Sequence, residues 1–448
     1  MSKLRFRLIF FTWWTLFASR LHASLLTPKQ LLAAADTAPA FEYPLPPSLD
    51  PWYRAPASFA WRNTAPGTVL KIRRAPLLNY TVGNAMAAYQ ILYRSTDSQY
   101  NAAWDVTTLF IPWWQYRCSV STPHLCAHAI MSYQIPYDTC NVDASPSYAL
   151  NIGEPYGEIS DALGLGWFVS VPDYEGPLAS YAAGLQSGHA TLDGVRAVLQ
   201  VAGYFGLRMD KAKVALWGFS GGALASEWAA ELAGHYAPKL QIAGVALGGL
   251  PPNLTSVIDF LNRSPSAGLI PAGLLGMATQ HPKAYSWVVS RLKPANASRF
   301  LSVRYMTATQ AIATYQNEDI YDYFVGGYND VRVARVMTDM YNIDGYMGYH
   351  GVPRMPMFVY KAVRDELSPV EDTDALVERF CGVGANILYH RNMAGNHNEE
   401  LVNGRQRAFA WLSSILDGSY GQIYSVMGCA VVNVTYNIAP YVPWLVPR

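Results

Sequence analysis

The stretch KVALWGFSGGALASEWAAEL, residues 213–232, decides the fold of this chain. A β-branched and apolar run leads into Gly-Phe-Ser-Gly-Gly, and an alanine-rich segment of helical composition follows directly. A strand, a tight turn and a helix in this order are typical of a nucleophile elbow, where glycines leave room for neighbouring backbone. The pattern predicts Ser220 as a nucleophile between Gly218 and Gly222. The alternative is a buried glycine-rich turn, because the short motif also arises by chance.

Strand and helix patterns alternate around this elbow. Short apolar runs at 127–134 and 165–176 predict buried strands, and helical spacing over 188–206 predicts a helix that opens near His189. Alternating segments from Val69 onward predict an antiparallel start to the sheet. Parallel strands joined by helices need cover on both faces of the sheet, so we expect an α/β domain.

Composition changes once within this domain. Residues 251–351 are dominated by helical, alanine- and tyrosine-containing segments without a clear strand, and strand-like sequence then resumes. We therefore predict a core made of residues 24–250 and 352–448, interrupted by a mostly helical cap at 251–351. The apolar run at 267–278 is too short to span a membrane and contains a proline, which favours a lid.

A serine hydroxyl needs a base to take its proton, and the base needs an orienting acid. Asp365 follows a predicted strand at the edge where catalytic loops gather, although a surface charge is the alternative and Glu366 is its neighbour, interpreted as solvated. Two histidines compete as the base. His390 ends a strand, whereas His397 lies in a loop that can reach across the sheet edge, so we predict His397. The order Ser-Asp-His is that of the α/β-hydrolase fold.

Candidate oxyanion donors lie on both sides of the elbow. The helix that begins at Gly221 offers an unpaired N–H and a positive dipole end. The loop after the 127–134 strand contains Asp138, the polar residue best placed to help. An ionised carboxylate would repel an oxyanion, so Asp138 serves only if it is protonated or if its backbone N–H points inward. From chemistry alone its role stays open.

The N-terminus indicates secretion. Three basic residues precede an apolar run at 8–18, and small residues follow near Ala23, which is the order of a signal peptide at residues 1–23. A retained signal anchor is the alternative, because Leu21 fits the cleavage pattern poorly. We predict an extracellular protein with no stable membrane span. Five glycosylation sequons agree with secretion: Asn79, Asn253, Asn262, Asn296 and Asn433.

Composition excludes several other classes of protein. The chain has 448 residues, 15% of them charged, and a formal net charge of +1 at pH 7. This balance carries no signal for nucleic acid binding. No cysteine or histidine cluster has zinc-site spacing, so we predict neither a metal nor a cofactor.

Several of these motifs together resemble the fungal secretory lipase family. They are SYQIPYD, PDYEGPLASYAAGLQSGHATLDGVRAV, KVALWGFSGGALAS, VRDELSP and GNH, and the resemblance covers roughly residues 60–435. It implies an α/β-hydrolase with a helical cap that acts on carboxylic esters. It assigns Ser220, Asp365 and His397 as the catalytic triad and places Asp138 and Gly221 at the oxyanion hole. It also implies a bridge between Cys381 and Cys429.

The chain departs from this family in three places. Phe219 stands where a tyrosine is usual. The family's bridge between oxyanion loop and cap lacks its second cysteine, so Cys140 is free or pairs with Cys118 or Cys126, and Cys118–Cys126 is the simplest local bridge. The cap sequence after Pro294 has diverged most, which leaves acyl-chain preference open.

The leading interpretation is a secreted serine ester hydrolase similar to triacylglycerol lipases, acting through an acyl-enzyme on a lipid or small-molecule ester. The apolar cap extends this expectation to a lipid–water interface. An acyltransferase or a tailoring esterase of specialised metabolism would use the same acyl-enzyme, because pocket shape selects the acceptor. A catalytically inactive binding protein is the third alternative, and the intact triad argues against it.

Overall fold

The computed structural model describes residues 26–37, 43–75, 77–113, 127–153 and 156–438. Its framework is one sheet of ten strands in the order β1-β2-β3-β5-β4-β6-β7-β8-β9-β10. The strands are β1 Val69–Arg74, β2 Ala85–Thr96, β3 Ala102–Pro112, β4 Ala129–Gln134, β5 Phe168–Pro172, β6 Lys213–Phe219, β7 Gly244–Gly248, β8 Met357–Ala362, β9 Ile387–Asn392 and β10 Cys429–Val434.

Helices connect the strands and cover the sheet. They are α1 Pro28–Thr37, α2 Leu78–Thr81, α3 Pro146–Ala149, α4 Gly157–Gly164, α5 Gly184–Val201, α6 Gly221–Tyr236, α7 Leu254–Leu261, α8 Leu269–Ala278, α9 Pro282–Arg291, α10 Pro294–Leu301, α11 Ala308–Tyr315, α12 Arg335–Asp344, α13 Val370–Gly382, α14 His397–Asp417 and α15 Tyr420–Ile423.

The sheet begins antiparallel and continues parallel. Strands β1, β2, β3 and β5 pair antiparallel in that order, and every pair from β5 through β4 to β10 is parallel. The predicted antiparallel start is therefore confirmed. From β4 the chain moves to β5 on one side and then to β6 on the other. Such a reversal opens a crevice at the carboxyl ends of the strands, where α/β proteins place their ligands.

Side chains of β6 alternate between two hydrophobic cores. Val214 and Leu216 belong to the core shared with α5 and α6, whereas Trp217 and Phe219 belong to the core shared with α14. A central parallel strand buried on both faces explains why the run reads as continuously apolar. The α/β-hydrolase architecture expected from the sequence is confirmed.

Helices α7 to α12 occupy the chain between β7 and β8, and we call them the cap. Strand-like pairing there is limited to two isolated bridges, Asn253 with Tyr346 and Leu292 with Phe324. The most apolar segment forms α8, a helix of 10 residues with nine of them buried. Within the described ranges, no helix has the length and apolarity needed to cross a membrane.

Two local predictions need correction. Helix α5 begins at Gly184 rather than near His189, which lies fully buried inside it. Strand β10 was not predicted, because nearly all its residues are exposed and the run has no alternation between a buried and a solvated face. The predicted signal peptide at residues 1–23 and the predicted Cys118–Cys126 bridge lie outside the described residues.

A disulfide between Cys381 and Cys429 joins α13 to β10. This pairing is the one that the family resemblance implied. The thiol of Cys140 is buried and unpaired in the part of the chain that the structure describes. Burial raises the pKa of this thiol to about 12.

The glycine positions in the turn from β6 to α6 have no room for a side chain. A Cβ atom on Gly218 would lie 2.0 Å from the carbonyl oxygen of Gly222, and one on Gly222 would lie 1.9 Å from the carbonyl oxygen of Gln134 in β4. Between them, Ser220 has φ 54° and ψ −122°, in a region that residues other than glycine rarely adopt. The expected strand, tight turn and helix are present here, and the role of Ser220 as a nucleophile stays a prediction.

We predict that Gly222→Ala lowers the free energy of unfolding by about 3 kcal/mol or more, because its methyl group must displace the backbone of β4. Gly382→Ala is the matched control, since a Cβ atom on this α13 residue meets nothing within 4 Å. The control should change stability by less than about 1 kcal/mol. Chemical denaturation followed by circular dichroism measures both. Equal stability of the two variants would contradict the tight elbow.

Candidate active site

Asp365 accepts three hydrogen bonds just beyond β8. Its Oδ2 lies 2.7 Å from His397 Nδ1, and its Oδ1 accepts the backbone N–H groups of Leu367 and Ser368, each at 2.9 Å. The side chain is 0% exposed. Hydrogen bonds therefore fix the positions of both carboxylate oxygens, and the fixed carboxylate holds the imidazole in one orientation.

A buried lysine lies beneath this carboxylate. Nζ of Lys361, in β8, is 3.4 Å from Asp365 Oδ2 and donates to the carbonyl oxygen of Leu250 at 2.8 Å and to Ser368 Oγ. Burial alone would raise the pKa of Asp365, but the charge of Lys361 and the hydrogen bond from His397 lower it to about 2. Burial in turn lowers the pKa of Lys361, which its carboxylate partner opposes. Asp365 is thus ionised throughout the neutral range.

Sequence reasoning missed Lys361. The available signal was a single lysine inside the otherwise apolar strand sequence MFVYKA, four residues before Asp365. A lysine at a buried strand position needs a partner of opposite charge, so this position alone could have pointed to the acid.

His397 is the first residue of α14 rather than a loop residue, which corrects the sequence interpretation. A capping box fixes this helix start: Asn396 Oδ1 accepts the Glu399 N–H at 3.0 Å, and Glu399 Oε2 accepts the Asn396 N–H at 3.1 Å. The His397 N–H donates to Glu366 Oε2 at 2.7 Å. Glu366 is half-buried and accepts this backbone hydrogen bond, so it is not solvated as the sequence analysis expected. Asp365, by contrast, is hydrogen-bonded to the imidazole ring.

The imidazole reaches the elbow across the end of β7. A Cβ atom on Gly249 would lie 2.8 Å from His397 Cε1, and the Phe219 ring packs 4.9 Å from the imidazole, centroid to centroid. The Ser220 N–H donates to the carbonyl oxygen of Gly248 at 2.8 Å. The hydrogen bonds of His397 run to Asp365 and Glu366, and none joins it to Ser220 in this structure. In hydrolases that use a serine and a histidine, the bond between the two side chains commonly tightens only when substrate is bound.

Asp138 completes the group from the loop after β4. A Cβ atom on Gly221 would lie 1.8 Å from Asp138 Oδ1, so this carboxyl occupies the space directly over the first residue of α6. Its φ of 47° is in the left-handed region. Oδ1 is buried and has no hydrogen-bond partner within the described ranges. Burial raises the pKa of Asp138 to about 6, against the opposing charge of His397.

The competing histidine lies elsewhere. His390, in β9, packs edge-on against Phe358 at 5.0 Å, and its Nδ1 lies 3.1 Å from Arg407. Burial and then the charge of Arg407 lower the pKa of His390 to about 4. Within the described ranges no hydrogen bond or ion pair joins this neutral, packed ring to Asp365, which agrees with the preference for His397.

The sequon asparagines have different surroundings. Asn433 is exposed on β10, whereas Asn253 caps the N-terminus of α7. The Asn262 amide donates to Asp319 Oδ1 at 2.8 Å, a bond that a glycan on this nitrogen would compete with. Glycosylation remains a prediction at all five positions: Asn79, Asn253, Asn262, Asn296 and Asn433.

Comparison with known proteins identifies relatives over most of the chain. The model of the secretory lipase family matches residues 145–422. Trichothecene C-3 esterase of Fusarium sporotrichioides is 43% identical over 407 residues, which cover 88% of this chain and 89% of that protein. Lipase A of Arthroderma benhamiae is 37% identical, over 85% of this chain and 81% of that protein.

A solved structure gives the same result. Candida antarctica lipase A superimposes with a TM-score of 0.77 and 29% sequence identity, over 89% of this chain and 91% of that one. A match over about nine tenths of both chains shows that they share one overall fold. This chain belongs to the secretory lipase family and is a carboxylic ester hydrolase.

Proposed function

We propose that the protein is a secreted serine hydrolase in which Ser220 is the nucleophile, His397 the general base and Asp365 the orienting acid. The observation that carries this proposal is the 2.7 Å hydrogen bond from His397 Nδ1 to buried Asp365, beside the strained backbone of Ser220. A backbone strained at one serine, next to an oriented imidazole, is typical of a functional constraint.

The chemistry follows from these positions. His397 Nε2 takes the proton of Ser220 Oγ while the oxygen attacks the ester carbonyl, and a tetrahedral oxyanion forms. The imidazolium then gives its proton to the departing alcohol, which leaves an acyl-serine. Water, deprotonated by the same nitrogen, attacks the acyl-serine, and collapse of the second tetrahedral species releases the acid and restores Ser220.

Asp365 and Lys361 have different electrostatic roles in this mechanism. Asp365 stays ionised and holds the tautomer of His397 that leaves Nε2 free to accept a proton. It also stabilises the positive ring that forms during the reaction. Lys361 Nζ lies 3.4 Å from the same carboxylate oxygen that the imidazole contacts, and its charge keeps this carboxyl ionised despite its burial.

The oxyanion is expected to bind the N–H of Gly221 and the protonated carboxyl of Asp138. The raised pKa of Asp138 supports this assignment, because a carboxylic acid can donate a hydrogen bond that a carboxylate cannot. The N-terminus of α6 adds a favourable dipole at the same place.

A tailoring esterase that deacylates a specialised metabolite is the second candidate function. Its support is the relative with 43% identity, which is named a trichothecene C-3 esterase.

The test of function is hydrolysis of p-nitrophenyl esters from acetyl to palmitoyl, of emulsified triacylglycerol and of an acetylated sesquiterpenoid alcohol. Ser220→Ala is the control, and added alcohols test for acyl transfer. Ser220-dependent cleavage of short esters and of the acetylated alcohol is expected for a tailoring esterase. Turnover of long chains and emulsions would instead indicate a lipase, and no Ser220-dependent acyl release from any ester would contradict the proposal.

We predict that Asp365→Asn lowers kcat by about 10⁴-fold, because the amide no longer holds the required tautomer of His397. Glu366→Gln is the matched control, since its side-chain oxygen can still accept the His397 N–H. This control should lose less than about tenfold. Steady-state kinetics on one reactive ester distinguish the two residues, and a larger loss from Glu366→Gln would show that the acid is misassigned.

The pH dependence tests Asp138. Its pKa is raised to about 6, so the donating acid is present below that pH and is lost above it, and kcat/KM should fall through this range. Asp138→Asn keeps a donor that does not titrate and should flatten the alkaline limb. The groups that sense the Asp138 charge are His397, Tyr156, Tyr174, Glu175 and Tyr181. An unchanged pH profile in the variant would refute the role.

A further inference from the structure

Asp138 needs external support. Its backbone is in the left-handed region, its Oδ1 lies over Gly221, and no hydrogen bond to Oδ1 is present within the described ranges. A side chain in this state keeps its position only if the loop around it is held from outside, because nothing bonded to the carboxyl itself prevents the loop from relaxing.

Two tyrosines cross-link this loop to the segment that follows β5. Tyr174 Oη donates to the carbonyl oxygen of Ile135 at 2.7 Å, and Tyr137 Oη accepts the N–H of Glu175 at 2.7 Å. The two rings pack 5.0 Å apart, and both side chains are buried. In both bonds the donor belongs to the segment after β5, and each of the two segments contributes one tyrosine hydroxyl and one backbone group, so the loop is held at two separate points.

The supporting segment is itself rigid. Two hydrogen bonds join backbone groups within the segment. The Ser180 N–H donates to the carbonyl oxygen of Glu175 at 2.7 Å, and the Gly176 N–H donates to the carbonyl oxygen of Asp173 at 2.9 Å. Asp173 Oδ1 also accepts the Ser147 N–H at 2.8 Å. A carbonyl tied to this segment is therefore tied to the core of the domain.

The cap holds the other end of the loop. Thr139 Oγ1, one residue beyond Asp138, donates to the carbonyl oxygen of Met306 at 2.6 Å. Asp138 thus lies between a core anchor at Ile135 and Tyr137 and a cap anchor at Thr139. The strained backbone of Asp138 therefore lies between the contacts to the core and the contact to the cap.

We propose that Tyr174, together with Tyr137, is a positioning residue that holds Asp138 over Gly221 in the conformation that serves the oxyanion. This inference rests on the proposed function. Tyr174 is not a catalytic residue, because its hydroxyl proton is committed to Ile135 and its role passes through the loop. The contribution appears in the transition state, where Asp138 must meet the oxyanion, and not in ground-state binding of the ester.

The test compares two buried tyrosines that make the same kind of bond. Tyr174→Phe removes the bond to Ile135, whereas Tyr93→Phe removes a 2.7 Å bond from a fully buried tyrosine to the carbonyl oxygen of Ala190, in α5. Tyr174→Phe should lower kcat about fivefold to tenfold with little change in KM, the size expected for one buried hydrogen bond. Tyr93→Phe should leave both constants unchanged. Thermal unfolding of both variants shows whether their folded states remain comparable.

A double-variant cycle separates positioning from general loosening. In an Asp138→Ala background the tyrosine has no carboxyl to position, so Tyr174→Phe should cost less than twofold there. Additive losses, or equal losses from Tyr174→Phe and Tyr93→Phe, would overturn the inference. If Tyr174→Phe does not fold, Tyr137→Phe breaks the second cross-link and should give the same pattern.

The controls also separate this inference from the proposed function. A wild-type chain that turns over esters by way of Ser220, with no kcat effect of Tyr174→Phe, would overturn only the positioning role. A wild-type chain without Ser220-dependent turnover would overturn both, because Tyr174 would then have no oxyanion to serve.

Discussion

The contact between the elbow and the end of β4 is the constraint on which the rest of the site depends. Gly222 approaches the carbonyl oxygen of Gln134 so closely that no side chain fits between them. This contact brings the turn after β6 against the loop after β4. Ser220, Gly221 and Asp138 are neighbours for that reason, although the strands that hold them are separated in the chain by β5 and α5. A sheet whose order reverses here creates the crevice, and the glycines let the chain use it.

The pKa values of two buried carboxyls in this crevice are shifted in opposite directions, and their surroundings explain why. Asp365 has a lysine, an imidazole and two backbone N–H groups around it, which hold its pKa at about 2 in spite of burial. Asp138 is buried, and only the charge of His397 opposes the effect of burial, so its pKa is raised to about 6. Active sites typically contain pairs of acids whose environments separate their pKa values in this way, so that one acts as an acid and the other as a base or a fixed charge. The same amino acid is thus a fixed negative charge in one place and an acid that titrates near neutral pH in the other.

Much of the fold and of the proposed site could be predicted from local patterns. The strand–turn–helix sequence at residues 213–232 predicted the elbow, because its signals lie within a few residues of each other. The chain order of Ser220, Asp365 and His397 favoured the hydrolase fold although these residues are far apart in sequence, because chain order is itself a feature of that fold. Other features involve partners distant in sequence. Lys361 beneath Asp365, Glu366 on the His397 backbone and Tyr174 on Ile135 depend on which loops meet at the sheet edge. Strand β10 was missed because an exposed strand carries no periodic burial pattern.

The amino-acid sequence by itself determined the residue types that carry the chemistry and the local conformations around them. Glycines at 218, 221 and 222 permit the turn, and the Asn396 and Glu399 pair starts the helix of His397. Tertiary structure alone decided which acid faces the imidazole and which acid has the raised pKa. Asp365 and Glu366 are chemically similar neighbours, and only the direction of the chain leaving β8 turns one toward the ring and the other toward the backbone. A pKa depends on burial and on charges brought from elsewhere in the fold, and no local pattern encodes either quantity.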